Sequence, residues 1–450
     1  MTTGTPWKKI LAFMVPMLIG NIAQQLYSTV DSIVVGRYLG DNALAAVGSA
    51  APIVNLLVVL YVGTSVGASI LVAQYVGAGD KEGTGHTVGN CIFLIFIAAV
   101  IVTAAGILLS GPLLRLLQTP DSLFDWCSVY LRIMFAGSIG IGFYNILCGV
   151  LRGMGDSVSA LIYLIVASVI NIILDIFFVA SLGMGVEGVA WATVIAQGIS
   201  AILCVLKLTR MKSFMVFHRR CIRWNRQYGL SIIRLGVPSG ITQMIFSMSS
   251  IVVQSLVNSF GEQFIAACVI VTRIDGFAMM PAMSFGNTMT TYAGQNTGAR
   301  KDDRVRLGTR QGILLSCSVS AVLAGLLFIF SSFVISFFTT TPELIDQSTY
   351  LLRLLTPGYI AMSVTHCLAG VMRGCGNTMT PMWLSIIQLC AMRIPFSYAL
   401  CYLTRSPQFP QGKSEMIYVG LLFAFLLGCL MHVIVFLAGR WRRRIVRAGQ

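Results

Sequence analysis

An internal repeat restricts what this chain can fold into. The segment GVLRGMGD at 149–156 returns as GVMRGCGN at 370–377, a shift of 221 residues. The same shift places AQYVGA at 73–78 on GQNTGA at 294–299. Separate blocks that share one offset indicate a tandem duplication of a unit of about 220 residues, which is far longer than a solenoid repeat.

Composition indicates what kind of unit is duplicated. Hydrophobic residues make up 56% of the chain and charged residues 10%, against about 25% charged residues in soluble proteins. Runs of about 20 apolar residues, each long enough to span a bilayer as a helix, occur six times per repeat. The prediction is an all-α integral membrane protein with twelve transmembrane helices in two six-helix lobes, one of which includes a single span near 124–150.

The predicted organisation has four parts. They are an amino-terminal lobe at 1–207, a basic cytoplasmic linker at 208–229, a carboxy-terminal lobe at 230–440 and a basic tail at 441–450. Lys and Arg collect on the side that holds both termini, and only Arg37, Arg115, Arg405 and Lys413 lie opposite. Since positive residues mark the cytoplasmic side, both termini are predicted to be cytoplasmic. Six helices per repeat make the two lobes insert in the same sense.

The formal net charge of +15 does not indicate a nucleic-acid partner. The largest basic clusters, at 219–226 and 440–447, are short and adjoin membrane spans, which favours contact with anionic lipid. The twelve cysteines are scattered without C-x-x-C pairs, so neither a structural metal site nor a cofactor is expected. The G-x-G pattern lacks a preceding strand and a Walker lysine, which argues against nucleotide binding.

Ionisable residues inside spans are candidate functional groups, because their burial has to be compensated. Depth counted at 1.5 Å per residue places Asp31 and Asp175 in the outer half of the membrane. Asn171, Tyr27 and Thr193 fall at the same depth, with Asn171 and Tyr27 one helical turn before the two aspartates. This oxygen-rich set suits Na⁺ or a proton shared between carboxylates. The alternative is a hydrogen-bonded network that only fixes helix packing.

Two other features of the spans bear on mechanism. Pro16 removes one backbone hydrogen bond half-way along the first span, so that helix can bend there, although a static kink remains the alternative. The motif arginines Arg152 and Arg373 follow apolar spans and stand between glycines that allow a tight turn, so we interpret them as structural.

These residues resemble the multidrug and toxic compound extrusion (MATE) transporters over essentially the whole chain. The matching features are Pro16 ahead of Asp31, GVLRGMGD with its echo, NIILD at 171–175, and GVEGVAWAT at 185–193. The resemblance implies two six-helix lobes around a central cavity and export of organic cations or amphipathic compounds by antiport against H⁺ or Na⁺. The family's amino-terminal cation site corresponds here to Asp31, Asn171, Asp175 and Thr193, with Tyr27 beside it.

The carboxy-terminal lobe departs from one branch of that family. NorM-type members carry acidic residues in spans seven and ten, where this chain has Gln243, Met362 and His366. A second carboxylate site is therefore not expected there. A polar site in this lobe could instead involve Gln243, Asp275, Arg273 and Arg393. Either a structural ion pair or a substrate contact would explain Asp275 and Arg273.

Other function classes fit less well. An intramembrane aspartyl protease would need a G-x-G-D motif, but Asp31 lies in TVDS and Asp175 in IILDIF, so no enzyme is expected. A lipid-linked oligosaccharide flippase remains the alternative carrier, although such proteins have about fourteen spans and a cationic cavity. The predicted protein is a monomer of the cell membrane that exports small drug-like molecules and touches membrane lipid.

Overall fold

Long helices form almost the whole structure. The computed structural model describes residues 1–116 and 119–439. The first repeat contains α1 (Pro6–Leu39), α2 (Asp41–Ala78), α3 (Lys81–Leu116), α4 (Asp121–Ala136), α5 (Ser138–Met154), α6 (Ser157–Ile176) and α7 (Val186–Arg210). The second contains α8 (Arg226–Asn258), α9 (Glu262–Gly298), α10 (Asp302–Ser336), α11 (Pro342–Gly374), α12 (Met379–Ile386), α13 (Ile394–Leu403) and α14 (Met416–Leu437). Short π-helices follow α6 at Phe177–Ser181 and join α12 to α13 at Ile387–Arg393.

The helices have the length and composition of membrane spans. Within the described ranges, eleven helices can cross a bilayer, and the bent pair of α4 and α5 would bring the number to twelve. These ranges contain no β-strand, and only one isolated bridge joins Ser406 to Phe409. The predicted all-α membrane architecture is confirmed.

Backbone geometry repeats with the sequence. Residues with a positive φ angle recur at an offset of 221, where helices begin or end in both repeats. Arg300 is the single non-glycine residue with positive φ in the described part of the chain, at 57°. The left-handed region disfavours residues with a Cβ. The second repeat therefore has the same turn geometry at Arg300 as the first repeat has at Gly79, although the glycine is absent. The matched pairs are Gly40 with Gly261, Gly79 with Arg300, and Gly155 with Gly376.

The region of the single span predicted near 124–150 is formed by a bent pair of helices. The axes of α4 and α5 meet at 53° across Gly137. A Cβ on Gly137 would lie 2.2 Å from Val194 of α7, so the bend brings the backbone against that side chain. Its counterpart in the second repeat, α11, is continuous although Pro357 lies inside it.

The glycines of the repeated motif mostly serve helix packing. Of those beside the motif arginines, only Gly155 and Gly376 have turn conformations. A Cβ on Gly153 in α5 would lie 2.5 Å from the carbonyl oxygen of Ser69 in α2. A Cβ on Gly374 in α11 would likewise lie 2.3 Å from the carbonyl oxygen of Thr290 in α9. Small residues allow such close contact between membrane helices.

The described chain divides into two compact units. One is Val15–Gly240, and the other joins Met1–Met14 to the residues from Ile241 onward. The chain therefore passes between units inside α1 and inside α8, beside Pro16 and Pro238. The lobes predicted at 1–207 and 230–440, with the linker at 208–229, stay a prediction, because contact units do not report membrane topology. The predicted tail at 441–450 lies outside the described residues.

Hydrogen bonds explain why the first residues belong with the second repeat. The Arg304 guanidinium donates to the carbonyl oxygens of Gly4 at 2.8 Å and Met1 at 3.2 Å. The Trp7 backbone N–H donates to Gln311 Oε1 at 3.0 Å. Both side chains belong to α10, so the first turn of α1 is fixed to the start of that helix.

Candidate functional site

Two buried carboxyl groups meet in the unit Val15–Gly240. Asp31 lies on α1 and Asp175 on the last turn of α6, and their side chains contact each other. Asp175 has no exposed surface and Asp31 is partly buried. Asp31 Oδ1 and both carboxylate oxygens of Asp175 are buried without a hydrogen-bond donor. Two adjacent acids without donors repel each other unless a proton or a cation lies between them.

No basic side chain of the described ranges supplies that charge. Among the described residues, the single ion pair within 4.0 Å joins Lys207 to Asp156, at 3.4 Å. The aspartates therefore have no counter-ion at ion-pair distance in this part of the chain. Within the same ranges, no three His, Cys, Asp or Glu side chains form a metal cluster, so any cation would have to complete its coordination with neutral oxygens.

Neutral oxygens do surround the carboxyl pair. Asn171, one turn before Asp175, donates from Nδ2 to Thr193 Oγ1 at 3.2 Å. Its amide oxygen is buried without a donor. The hydroxyl of Tyr27, one turn before Asp31, contacts Thr193. The structure thus brings all five predicted residues together, and the set has more acceptor oxygens than donors.

Local helix geometry explains this convergence. Residues four apart lie on one face of a helix, which aligns Tyr27 with Asp31 and Asn171 with Asp175. Thr193 lies two turns inside α7 and faces them from the third helix. The π-helix at Phe177–Ser181 begins two residues after Asp175, and such single-turn π segments occur frequently at functional sites.

Sequence reasoning missed Tyr130 of α4. This residue is 7% exposed. Its hydroxyl is close enough to Asp31, Tyr27 and Asp175 to interact with them electrostatically. Tyr130 is as far from the start of α4 as Thr193 is from the start of α7, to within about one turn. The depth argument that selected Thr193 would therefore have found it.

Pro16 borders a small polar cavity. It lies inside α1 and lines a space of about 100 Å³ together with Asn21, Gln24, Asn145 and Arg152. Since proline cannot donate to the preceding turn, this is where α1 is least constrained by its own hydrogen bonds. The cavity provides room for a change of helix shape.

The structure assembles only part of the polar set proposed for the carboxy-terminal lobe. Asp275 is partly buried, contacts Tyr359 and lies near Arg393. Arg393 ends the π-helix Ile387–Arg393, and its Nε has no partner. Gln243 and Arg273 have exposed side chains. Tyr359 was not predicted, and no sequence pattern marked it.

Comparison with known proteins covers both repeats. The MatE family model matches residues 16–177 and again 238–399. The chain is 31% identical over 406 residues to a probable multidrug resistance protein, YoeA, of Bacillus subtilis (strain 168), covering 89% of this chain and 88% of the relative. It is 24% identical over 447 residues to a probable multidrug resistance protein, NorM, of Thermotoga maritima, covering 98% and 94%.

Solved structures agree with the family match. An outward-facing multidrug resistance MATE family transporter of the MOP superfamily superposes with a TM-score of 0.89 at 25% identity, covering 98% of this chain and 96% of that chain. Members of this family are transporters and not enzymes. Because the family model matches each repeat separately and covers more than half of the residues, the chain belongs to the MatE family of multi-pass membrane transporters.

Proposed function

We propose that the protein is a secondary active multidrug efflux antiporter. It exports organic cations or amphipathic compounds in exchange for H⁺ or Na⁺ taken up at the Asp31–Asp175 pair. The multidrug character is supported by the names of relatives such as YoeA and NorM. The coupling is supported by one observation, the buried carboxyl pair that has neither a donor nor a basic partner.

Either ion suits the chemistry of the pair. A proton shared between Asp31 and Asp175 removes the repulsion between adjacent carboxylates. Na⁺ would also neutralise it and could be coordinated by Asn171 Oδ1 and the Thr193 hydroxyl, since hard cations prefer oxygen ligands. In both cases the bound ion changes the charge of the site from negative towards neutral. This change in charge drives the conformational change of the transport cycle.

The change in charge is coupled to the shape of α1. Neutralising Asp31 and Asp175 lets α1 and α6 approach, and we propose that α1 responds by bending at Pro16. The bend alters the cavity beside Pro16 and favours release of the exported compound outside. The ion then leaves towards the cytoplasm, which returns α1 to its first shape.

Topology follows from the distribution of basic residues. We propose that the protein lies in the plasma membrane with both termini in the cytoplasm. The flippase alternative gains no support from the described structure, because a pyrophosphate carrier would need several cationic side chains inside the spans, and the described site is acidic.

The test is transport with each gradient imposed alone. Inside-out vesicles that contain the protein should accumulate a fluorescent drug when either a proton gradient or a Na⁺ gradient is applied, and the effective gradient names the ion. Asp31→Asn and Asp175→Asn should abolish gradient-driven accumulation, because an amide cannot bind a proton or neutralise Na⁺.

The matched control is Asp125→Asn, which removes one carboxylate from an exposed position on α4. It should transport normally. Gel filtration in detergent should show that all three variants fold. Normal gradient-driven transport by both site variants would refute coupling at this pair, whatever the behaviour of the control.

A further inference from the structure

A second, larger cavity lies in the unit that joins Met1–Met14 to the residues from Ile241 onward. It has a volume of about 800 Å³ and is bordered by the start of α10 and the ends of α9, α11 and α14. Arg306, Arg310 and Asp302 form its polar side, whereas Val364, Phe436 and Leu437 contribute to its apolar side. None of these residues belongs to the carboxyl site described above.

The duplication shows what occupies the corresponding place in the first repeat. At the offset of 221, Arg306 corresponds to Gly85 and Arg310 to Gly89, both near the start of α3. A Cβ on Gly85 would lie 2.0 Å from the carbonyl oxygen of Val216, and one on Gly89 would lie 2.0 Å from that of Cys221. The chain that follows α7 therefore packs directly against these two glycines.

Hydrogen bonds hold that segment in place. The backbone N–H of Val216 donates to the carbonyl oxygen of Lys81 at 3.1 Å. The backbone N–H of Asn225 donates to Asn90 Oδ1 at 2.8 Å. In the first repeat, the groove beside the start of the third helix is thus filled by protein backbone.

Arginine prevents the same packing in the second repeat. A carbonyl oxygen cannot lie as close to the backbone at positions 306 and 310 as it does at Gly85 and Gly89, because positions 306 and 310 each carry a long side chain. The two arginines are one helical turn apart on one face of α10 and both are exposed. Neither makes an ion pair within 4.0 Å to a described residue. Like charges one turn apart destabilise a helix, and in this cavity Asp302 supplies one negative charge beside the two positive charges.

We propose that this cavity binds an anionic phospholipid. The phosphate lies between the guanidinium groups of Arg306 and Arg310, which suit a phosphate geometrically. The acyl chain lies along Val364, Phe436 and Leu437, and Leu437 is 77% exposed. A free anion would satisfy the arginines but leave the apolar side against water, whereas a lipid satisfies both. The lipid comes from the inner leaflet if the proposed orientation holds, and its binding does not depend on the transport function.

Lipid retention by the purified full-length protein tests the proposal. Native mass spectrometry should show that dioleoyl phosphatidylglycerol binds more tightly than dioleoyl phosphatidylcholine. The double variant Arg306→Gln, Arg310→Gln should weaken phosphatidylglycerol binding by about tenfold or more, because it removes two charge-assisted contacts. Each single substitution should weaken it less, and these remain informative if the double variant does not fold.

The matched control is Arg220→Gln with Arg223→Gln, which removes the same charge from exposed positions in the linker. It should leave phosphatidylglycerol binding unchanged, and an equal loss in both double variants would overturn the proposal in favour of a general charge effect. Displacement of the lipid by inorganic phosphate, or equal binding of dihexanoyl phosphatidylglycerol, would assign the site to a phosphate group alone. Loss of the preference after removal of residues 440–450 would assign it to the tail.

Discussion

Asp175 and Asp31 are not equivalent carboxylates. Both oxygens of Asp175 are buried without a donor, whereas Asp31 has one such oxygen and some exposed surface. Asn171 and Thr193 are hydrogen-bonded to each other beside the pair. In the proposed mechanism, these neutral groups set how tightly an ion is held, and the carboxylates set whether it is held at all.

Thr193→Val should therefore weaken ion binding without abolishing transport. Valine matches threonine in shape but lacks the hydroxyl that accepts from Asn171, so the Asn171 amide loses its partner and one ion ligand disappears. Loss of one hydroxyl contact to a charged group costs about 1.5–3 kcal/mol, which corresponds to a half-saturating ion concentration raised by roughly 10-fold to 150-fold. Drug uptake measured against ion concentration gives this value. Thr209→Val, at the exposed end of the same helix, should leave it unchanged, and the same holds for Thr193→Val if Thr193 only packs.

Gly370 provides a test of the packing role of the repeated motif. A Cβ at this position would lie 2.2 Å from the carbonyl oxygen of Gly286 in α9, and backbone cannot move aside easily. Gly370→Ala should lower stability by about 1–3 kcal/mol, as overpacking does. Gly325→Ala is the control, because nothing lies within 4 Å of a Cβ there and alanine favours helix. Thermal unfolding in detergent should show a lower Tm for Gly370→Ala alone. Equal Tm values would mean that α9 and α11 can separate at little cost.

Among the helices, α1 and α8 share a feature that the others lack. Each is divided between the two compact units, and each has a proline within two residues of the division, Pro16 in α1 and Pro238 in α8. Because proline weakens the helix at that turn, the backbone is most easily deformed where its two ends follow different units.

Pro16→Ala should lower the maximal transport rate more than it changes drug affinity. Alanine restores the missing backbone donor and stiffens α1 where we propose that it bends. Pro112→Ala is the matched control, since Pro112 lies inside α3 with an exposed side chain. Initial rates over a range of drug concentrations separate the two parameters. An unchanged maximal rate for Pro16→Ala would make Pro16 a static kink, and Pro238→Ala should behave like Pro16→Ala.

For the whole molecule, the energy source limits what can be exported. One monovalent cation that moves inward through 100 mV releases about 2.3 kcal/mol, and each tenfold ion gradient adds about 1.4 kcal/mol. One ion thus suffices to concentrate a neutral drug. Export of a monovalent cationic drug against one ion moves no net charge, so the membrane potential then contributes nothing.

Dissipating the ion gradients should therefore stop uphill export completely. Vesicles treated with ionophores that collapse the proton, Na⁺ and electrical gradients should only equilibrate the drug, and added ATP should not restore accumulation. Drug concentration inside and outside the vesicles is the measurement. Accumulation that persists under these conditions would exclude a secondary antiporter.

Hydropathy predicted the helices well, because burial in lipid imposes length and apolarity on every span. It did not predict the bend at Gly137, since the close contact of that backbone with Val194 involves another helix. The π-helices were missed because one extra residue in a helix leaves the hydropathy unchanged. At the site, depth and i, i+4 spacing were sufficient for Asp31, Asn171 and Asp175. Tyr130 needed the position of α4, and the glycines beside Arg152 and Arg373 could not be divided into packing and turn positions without the partner helices.

The register in which the two repeats are compared decides which residue stands opposite Asn171. The family model matches the repeats at an offset of 222 at both ends, and at that offset Arg393 stands where Asn171 stands in the first repeat. Asp31 has a valine as its counterpart in either register, Val252 or Val253. The acids of the first repeat have no described basic partner, whereas the second repeat has the Arg393 side chain near its partly buried Asp275. We therefore expect that the charge of the first repeat is balanced by an ion that exchanges with the solvent, whereas the cation near the acid of the second repeat is a side chain and cannot leave.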